Sequence, residues 1–355
     1  MRLQASAIQR KTDDAMRTLL IAPAWVGDMV MAEPLVRLLH AQQPAAEIHV
    51  AAPRSTRPLA LRMQHVAATH DWPFAHGVFD LALRWRLAQR LRGLQFERVL
   101  VLPNSWKSAL VPFLAGIPKR VGFVGEARYG LLNDARQLRA AELPMMVQRF
   151  LALGRPADAP TPSAAVPQLQ PDAAQSARLR QACAGDGTAR VLALCPGAEF
   201  GASKRWPGAH FADIASTFIA RGWQVWLFGA EKDVQVGAEI ADSIAQARRH
   251  NLVSLIGRTS LLDAIDLLAC ADAVVSNDSG LMHVAAALGR PVVGVFGSTS
   301  ERFTPPLGAH TRSISIPLPC RPCFERTCRF GHYDCLQKLA PAIVLAKLDQ
   351  LLEGA

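Results

Sequence analysis

Residues Ser276–Pro291 read SNDSGLMHVAAALGRP, and the apolar residues Ala273–Val275 come directly before them. The apolar run predicts the end of a buried strand, and Asn277–Gly280 predicts a tight turn. Leu281–Leu288 then predicts a short helix, which the following glycine and proline stop. The stretch is therefore a strand, a turn and a helix, the unit from which parallel α/β sheets are built.

The start of this predicted helix suits a phosphate group. Asp278 or Ser279 can cap the helix, and Gly280 lets a ligand approach the backbone. The unpaired N–H groups and the positive end of the helix dipole attract an anion. The stretch indicates a nucleotide-diphosphate pocket, and an ordinary capped helix in an α/β domain is the alternative.

The length of 355 residues, half of them hydrophobic, predicts two α/β domains. The net charge of +10 favours an anionic partner. The alternatives are nucleic acid, an anionic membrane surface and a phosphorylated substrate. The basic residues are scattered, and the sequence contains no recognisable nucleic-acid-binding module. We therefore favour phosphates on a small molecule or lipid over nucleic acid.

The sequence contains no run of about eighteen uncharged apolar residues, so a membrane span is not expected. Residues 1–15 have no apolar core of secretory length; we expect them to be a disordered extension, with Met16 as an alternative start. We expect a cytoplasmic protein that binds peripherally to the inner face of the inner membrane.

Strands and helices alternate in both halves of the chain. Thr18–Pro23 and Glu47–Ala51 predict strands, and Pro34 should kink or break the helix between them. The proline-rich segment Arg155–Gln168 predicts a linker, which gives an N-terminal domain at 16–168 and a second domain at 169–340. The expected fold is α/β, with two Rossmann-like doubly wound domains facing one another across a cleft. The last helix, within 341–355, is expected to pack back toward the N-terminal domain.

Gly27 and Asp28 follow the first strand, at the sheet edge where such folds bind ligands. We expect the field of a helix N-terminus to keep Asp28 ionised, so that it can accept a proton from a hydroxyl nucleophile. Gly27 would allow a substrate to approach closely. The alternative is that Asp28 only caps the helix.

The segment Cys195–Pro207 follows the first strand of the second domain and can wrap a diphosphate, with Lys204 as the cation beside the leaving group. Arg205 also fits a solvated surface charge, and Trp206 fits a core anchor. Glu231 follows another strand at the same edge and could bind ribose hydroxyls or cap a helix.

Four cysteines, Cys320, Cys323, Cys328 and Cys335, lie within sixteen residues. Close pairs of thiols in a cytoplasmic chain are typical of a structural zinc site. The spacing differs from that of a standard zinc ribbon, so reduced, packed or redox-active cysteines are the alternative.

Five segments together carry a family resemblance: Ala22–Met29 (APAWVGDM), Leu102–Leu110 (LPNSWKSAL), Gly125–Asp134 (GEARYGLLND), Cys195–Gly201 (CPGAEFG) and Asn277–His283 (NDSGLMH). In this order they resemble the ADP-heptose:lipopolysaccharide heptosyltransferases, glycosyltransferases of the GT-B architecture. The resemblance implies inverting transfer of L-glycero-D-manno-heptose from ADP-heptose to the first heptose of the lipopolysaccharide inner core, on heptosyl-Kdo2-lipid A. It also implies that no divalent metal or other catalytic cofactor is needed.

The resemblance assigns roles to matching residues. The aspartate matching Asp28 is the general base, and the lysine matching Lys204 contacts the diphosphate. The donor is expected to lie against Gly197, Ser203, Lys204, Glu231, Asp278, Ser279, Gly280, Leu281 and His283. The anionic acceptor is expected to lie against Gly27, Lys107, Arg120 and Arg128.

Two features depart from the family pattern. Hydroxyl contacts to phosphate would depend on Ser203 alone, and the cysteine cluster occurs in only some relatives, which makes a catalytic role for it unexpected.

Three other functions are consistent with parts of the sequence. Another inner-core heptosyltransferase, such as one that adds the first heptose to Kdo, is disfavoured by Asn104–Lys107. A two-domain ligand-binding protein closes two α/β lobes but needs no base at Asp28. A 2-epimerase shares the fold, but we find no matching catalytic pattern.

Overall fold

The computed structural model describes residues 16–74, 79–184 and 188–354 and divides into two compact units. The first unit comprises residues 16–25 and 32–164, and the second comprises residues 26–31 and 165–354. The expected disordered extension, residues 1–15, lies outside the described residues. The division between Ala164 and Ala165 falls inside the proline-rich segment that predicts a linker.

The first unit contains a parallel sheet of six strands in the order β3-β2-β1-β4-β5-β6. Its strands are β1 (Arg17–Ile21), β2 (Glu47–Ala52), β3 (Val66–Asp71), β4 (Arg98–Val101), β5 (Lys119–Phe123) and β6 (Asp134–Arg136). The helices of this half of the chain are α1 (Val26–Met31), α2 (Glu33–Gln42), α3 (Arg57–Ala60), α4 (Leu81–Arg92), α5 (Trp106–Leu114) and α6 (Met146–Leu153).

The second unit repeats the arrangement, with the order β12-β11-β10-β7-β8-β9. Its strands are β7 (Val191–Cys195), β8 (Gln224–Leu227), β9 (Leu252–Ser254), β10 (Ala273–Asn277), β11 (Val292–Val295) and β12 (Thr311–Ile314). Its helices are α7 (Ala173–Ala184), α8 (Gly208–Ala220), α9 (Val234–Asp242), α10 (Leu261–Leu268), α11 (Gly280–Ala287), α12 (Asp334–Gln337) and α13 (Pro341–Glu353).

Both sheets have the strand order of a doubly wound nucleotide-binding fold, which confirms the predicted fold class for each unit. The central strands were predictable because parallel strands buried on both faces are continuous apolar runs. The sequence analysis missed β3, β6 and β12. All three are edge strands with partly exposed residues, so their apolar signal is weak.

Pro34 breaks the first helical segment, as predicted: α1 ends at Met31, and α2 begins at Glu33 with the proline in its first turn. The short helix α1 then groups with the second unit, although its neighbours in sequence belong to the first. The sequence analysis assigned all of residues 16–168 to one domain, because nothing local in the sequence marks α1 as different.

The C-terminal helix α13 packs on α8, β11 and β12 of the second unit. Val344, Leu348 and Leu351 are buried in that unit's core with Trp206 and Phe211. The sequence analysis expected this helix to pack back toward the N-terminal domain, whereas its apolar side chains are buried within the second unit. In the part of the chain that the structure describes, no helix is long and apolar enough to cross a membrane.

We expect Leu348→Ala to lower the free energy of unfolding by about 2–5 kcal/mol, because it leaves a cavity in the core of the second unit. The exposed Ile343 on the same helix is the matched control, and Ile343→Ala should change the value by no more than about 0.5 kcal/mol. Urea denaturation followed by tryptophan fluorescence measures both variants. Equal small effects would show that α13 is not packed as described.

Candidate active site

Helices α1 and α11 pack closely because each has a glycine where they meet. A Cβ atom added to Gly280 would lie 2.6 Å from Cβ of Val26, and one added to Gly27 would lie 2.8 Å from Cδ2 of His283. Carbon atoms do not approach so closely without displacement. The sequence analysis explained both glycines by ligand approach; in the structure, their missing side chains make room for the facing helix.

A buried ion pair lies at the carboxyl edge of the second sheet. The Nζ atom of Lys204 is 2.6 Å from Oδ2 of Asp278, and the two side chains are only 14% and 3% exposed. The hydroxyl of the buried Thr299 donates a hydrogen bond of 2.5 Å to the same Oδ2. Asp278 therefore pairs with a cation and accepts a hydrogen bond from a hydroxyl at once.

The topology of the sheet explains why these three residues meet. Asp278 follows β10, the strand that lies between β7 and β11 in the sheet. Lys204 ends the 3₁₀ turn Ala202–Lys204 in the loop after β7, and Thr299 lies in the loop after β11. Because carboxyl ends of parallel strands share one edge, three loops distant in sequence converge there.

Asn277 fixes the loop after β7 at this edge. Its buried amide nitrogen donates to the carbonyl of Pro196 at 2.6 Å, and its Oδ1 accepts from the backbone N–H of Trp206 at 3.1 Å. The indole of Trp206 is buried and donates to the carbonyl of Leu339 at 2.9 Å. Trp206 is thus the core anchor that one interpretation of the sequence predicted.

Asp28 lies in the first turn of α1, near this ion pair. Its pKa is raised to about 6, mainly because burial disfavours the charged carboxylate, with the negative charge of Asp278 adding to the effect and Lys204 opposing it. We expected the helix field to keep this group ionised; desolvation outweighs that field. Asp28 is mostly a carboxylate at neutral pH but is half protonated near pH 6.

His283 is buried in α11, with its ring against Gly27. Burial lowers its pKa to about 4; Asp278 opposes the shift, and Lys204 adds to it. The imidazole is therefore neutral at physiological pH and brings no positive charge to the site.

The cap of α11 differs from the prediction. Ser279 occupies the N-cap position, but its side chain makes no capping hydrogen bond, and its Oγ lies 3.1 Å from Oγ of Ser276. Asp278 is bound by Lys204 and Thr299 instead of the helix backbone. Gly280 and Leu281 form the start of the helix, so its first backbone N–H groups lie beside the ion pair.

The other predicted donor residues have different surroundings. Ser203 is buried, and its hydroxyl donates to the carbonyl of Glu325 and accepts from Ser298 Oγ at 2.9 Å, so it already bonds protein atoms. Gly197 lies directly against the carboxylate of Asp233, where a side chain would not fit. Glu231 is exposed at the start of the 3₁₀ turn Glu231–Asp233 after β8.

The predicted acceptor residues Arg120 and Arg128 have partners within the first unit. Arg128 is only 1% exposed and donates to the carbonyls of Phe123 and Pro103 at 2.9 and 2.6 Å. Arg120 donates to the carbonyls of Leu131 and Ile117 at 2.7 and 2.6 Å. Both guanidinium groups hold loops together in this structure, so we do not carry them forward as acceptor ligands.

Lys107 is half-buried at the start of α5 in the first unit, whereas Gly27 belongs to the second unit through α1. Of the predicted acceptor residues in the first unit, we retain Lys107 as the candidate to bind the acceptor.

The four clustered cysteines are free and partly exposed. Burial raises the pKa of the Cys335 thiol, and the three other thiols of the cluster raise it further. This indicates that the other three thiols lie near Cys335. Across residues 16–74, 79–184 and 188–354, however, no group of three or more His, Cys, Asp or Glu side chains is arranged to hold a metal ion. The structural zinc stays a prediction.

Sequence reasoning assigned no role to Thr299 or Asn277. The signal for Thr299 was present: Gly297-Ser298-Thr299 directly follows the apolar strand β11, at the ligand-binding edge of the sheet. Asn277 was predicted to begin a turn, whereas it is the last residue of β10, and its contacts with Pro196 and Trp206 depend on tertiary structure.

Comparisons with known proteins find a matching family, similar sequences and a similar solved structure. Residues 84–334 match the family described as glycosyltransferase family 9 (heptosyltransferase). The chain is 42% identical over 344 residues to lipopolysaccharide heptosyltransferase 2 of Escherichia coli K12, covering 95% of this chain and 99% of the relative. It is 41% identical over 346 residues to lipooligosaccharide heptosyltransferase 2 of Haemophilus influenzae, with the same coverage.

A solved structure, that of E. coli ADP-heptose lps heptosyltransferase II, superimposes with a TM-score of 0.86 at 40% identity. The match covers 96% of this chain and all of the solved chain.

We expect the carboxyl of Asp28 to titrate with a pKa of about 6. Asp278→Asn should lower this pKa because it removes a negative charge, and Lys204→Met should raise it because it removes a positive one. Carbon-detected NMR of labelled aspartate measures the three values. Asp213→Asn, at an exposed position on α8, is the control and should change nothing. A wild-type pKa near the ordinary 3.8 would contradict the described burial of Asp28.

Proposed function

Because the chain belongs to glycosyltransferase family 9, the heptosyltransferases, we propose that it transfers L-glycero-D-manno-heptose from ADP-heptose to the first heptose of the lipopolysaccharide inner core. The observation that carries this proposal is the 42% identity over 95% of the chain to a lipopolysaccharide heptosyltransferase 2. The arrangement of Asp28, Lys204 and Asp278 supports the chemistry, since it puts a base close to a cation.

Asp28 is the proposed general base. An acceptor hydroxyl attacks the anomeric carbon of the heptose while the bond from that carbon to the diphosphate oxygen breaks, which inverts the configuration. The hydroxyl proton goes to the Asp28 carboxylate. A pKa of about 6 suits this step, because the group is mostly ionised at neutral pH and is still basic enough to accept a proton.

Lys204 is the proposed contact to the departing diphosphate. Lys204 is the last residue of the 3₁₀ turn at the ligand-binding edge. Its Nζ lies 2.6 Å from Oδ2 of Asp278, which holds the ammonium group in place. The first-turn N–H groups of α11 lie beside it and add a positive field. Together they stabilise the negative charge that builds on ADP in the transition state, a role that in other enzymes is filled by a divalent metal.

The acceptor and its location are the finer part of the proposal. The substrate is heptosyl-Kdo2-lipid A, and Lys107 of the first unit is a cation available to its anionic groups. A lipid-linked acceptor supports a cytoplasmic enzyme that works at the inner face of the inner membrane. The segment Asn104–Lys107 supports the second-heptose specificity over transfer of the first heptose.

The test is an assay with ADP-heptose and two acceptors, Kdo2-lipid A and the same molecule carrying one heptose, followed by mass spectrometry. We expect one added heptose on the second acceptor only. Transfer to unsubstituted Kdo2-lipid A would contradict the second-heptose specificity. Transfer to neither acceptor would contradict the proposed reaction.

Asp28→Asn should reduce kcat by about 10²–10⁴-fold while ADP still binds, because the amide cannot accept the proton. In the wild type, kcat/KM should rise with pH through about 6, since the base must be deprotonated. Steady-state kinetics between pH 5 and 8, with calorimetry for ADP, measure both effects. Asp213→Asn should retain the wild-type rate and profile. Near-normal turnover by Asp28→Asn would exclude Asp28 as the base.

A further inference from the structure

Helices α4 and α5 of the first unit expose large apolar side chains to solvent. Phe79, Leu81, Trp85, Trp106 and Phe113 are between 36% and 56% exposed. We refer to these five residues and the cations around them as the α4–α5 surface. Large exposed apolar patches on a folded protein are typical of sites that bind another surface.

Helix geometry and contacts between α4 and α5 place the five side chains on adjoining helix faces. On α4, Leu81 and Trp85 share a face with Arg92, whose guanidinium reaches α5 and donates to the carbonyl of Leu114 at 2.7 Å. That face therefore borders α5. On α5, Trp106 and Phe113 are two turns apart and lie on one face.

The rings of Phe79 and Trp106, 5.3 Å apart, join the beginnings of the two helices. Hydrogen bonds from arginine side chains also fix α4 and α5 to each other. Arg84 is 3% exposed and donates to the carbonyl of Lys107 at 2.8 Å, near the start of α5. Arg92 makes the corresponding contact at the other end of the helix pair. The patch is thus presented on a preformed surface, which limits the entropy lost when it binds.

The charge of this surface is predominantly positive. Two exposed carboxylates lie beside it: Asp80 caps α4 between Phe79 and Leu81, and Glu126 accepts a hydrogen bond from the backbone N–H of Trp106 at 3.2 Å. Residues 81–96 and 106–120 contain no aspartate or glutamate, and their seven basic residues are Arg84, Arg86, Arg90, Arg92, Lys107, Lys119 and Arg120. Of these, Arg86, Arg90, Arg92 and Lys119 are exposed. The surface therefore combines aromatic side chains with a local excess of positive charge.

We propose that the α4–α5 surface binds an anionic phospholipid bilayer. Tryptophan and phenylalanine insert at the level of the lipid headgroups, while exposed arginine and lysine side chains contact anionic headgroups. The inference rests on the proposed function in one respect, because a lipid-linked acceptor explains why a heptosyltransferase would bind a bilayer. The binding itself needs neither donor nor acceptor.

A second copy of the chain is a poorer occupant. Two copies meeting through this surface would bring the exposed cations of both copies together, and the carboxylates of Asp80 and Glu126 offset that excess only in part. An anionic bilayer is complementary in both charge and polarity.

The test is cosedimentation of the full chain with vesicles of phosphatidylglycerol and phosphatidylcholine, compared with phosphatidylcholine alone. We expect binding to the anionic vesicles that weakens with added salt. The double variant Trp85→Ser/Leu81→Ser should reduce the partition coefficient about tenfold or more, since it removes the inserting side chains. Arg86→Gln/Arg90→Gln should reduce it by a similar factor.

Matched controls lie in the second unit. Phe330 is 58% exposed and Val234 is 47% exposed, so Phe330→Ser/Val234→Ser removes comparable apolar surface. Arg248 and Arg312 are exposed, so Arg248→Gln/Arg312→Gln removes the same charge. Both control pairs should bind vesicles like the wild type, and all variants should keep the wild-type urea midpoint.

Three results would overturn the proposal: no binding to anionic vesicles, equal loss of binding in the control pairs, or a dimer in sedimentation analysis that Trp85→Ser/Leu81→Ser dissociates.

A second experiment separates this proposal from the proposed function. Transfer to a delipidated, water-soluble acceptor should be unchanged in Trp85→Ser/Leu81→Ser, while transfer to acceptor embedded in vesicles should fall. Vesicle binding without any heptose transfer would contradict the proposed function alone.

Discussion

The ion pair between Lys204 and Asp278 is the contact on which the candidate site depends. Both charges are largely removed from solvent, so each needs the other, and loss of one partner of such a pair typically costs about 3–5 kcal/mol. Thr299 completes the coordination of Asp278 with a hydrogen bond of 2.5 Å. Because the three residues come from the loops after β7, β10 and β11, the pair also fixes the relative positions of these loops.

The same pair acts on the pKa values of two neighbouring groups. Lys204 lowers and Asp278 raises the pKa of Asp28, so their influences oppose each other and burial decides the direction of the shift. For His283 the two influences have the same directions, Asp278 raising and Lys204 lowering its pKa, and burial again decides the direction of the shift. The result is a carboxyl group with a pKa of about 6 beside a neutral imidazole. This arrangement suits proton acceptance from a sugar hydroxyl.

The close packing of α1 on α11 gives this site a further property. Gly27 and Gly280 let the two helices approach, and α1 consequently groups with the second unit although β1, before it, belongs to the first. Asp28 therefore lies in the same compact unit as Lys204 and Asp278. The geometry between base and cation is internal to one unit, whereas Lys107 and the α4–α5 surface belong to the other.

The sequence by itself determined what local patterns can encode. Buried central strands are continuous apolar runs, so the two doubly wound sheets and the loops at their carboxyl edges were predictable, as were the break at Pro34 and the anchoring of Trp206. Edge strands such as β3 were missed because partial exposure weakens the apolar pattern. The candidate residues Asp28, Lys204 and Asp278 could be found because they follow predicted strands.

Only the tertiary structure decided what each side chain contacts. Arg128 was predicted to bind the acceptor but is buried against carbonyl groups, and Ser203, a predicted donor contact, bonds to protein atoms. Gly27 faces His283, more than two hundred residues away in sequence, and Asp278 binds Lys204 and Thr299 instead of capping its helix. The physical reason is the same in each case. Burial and hydrogen bonding depend on partners that folding brings together from distant parts of the chain, and a local sequence pattern carries no information about them.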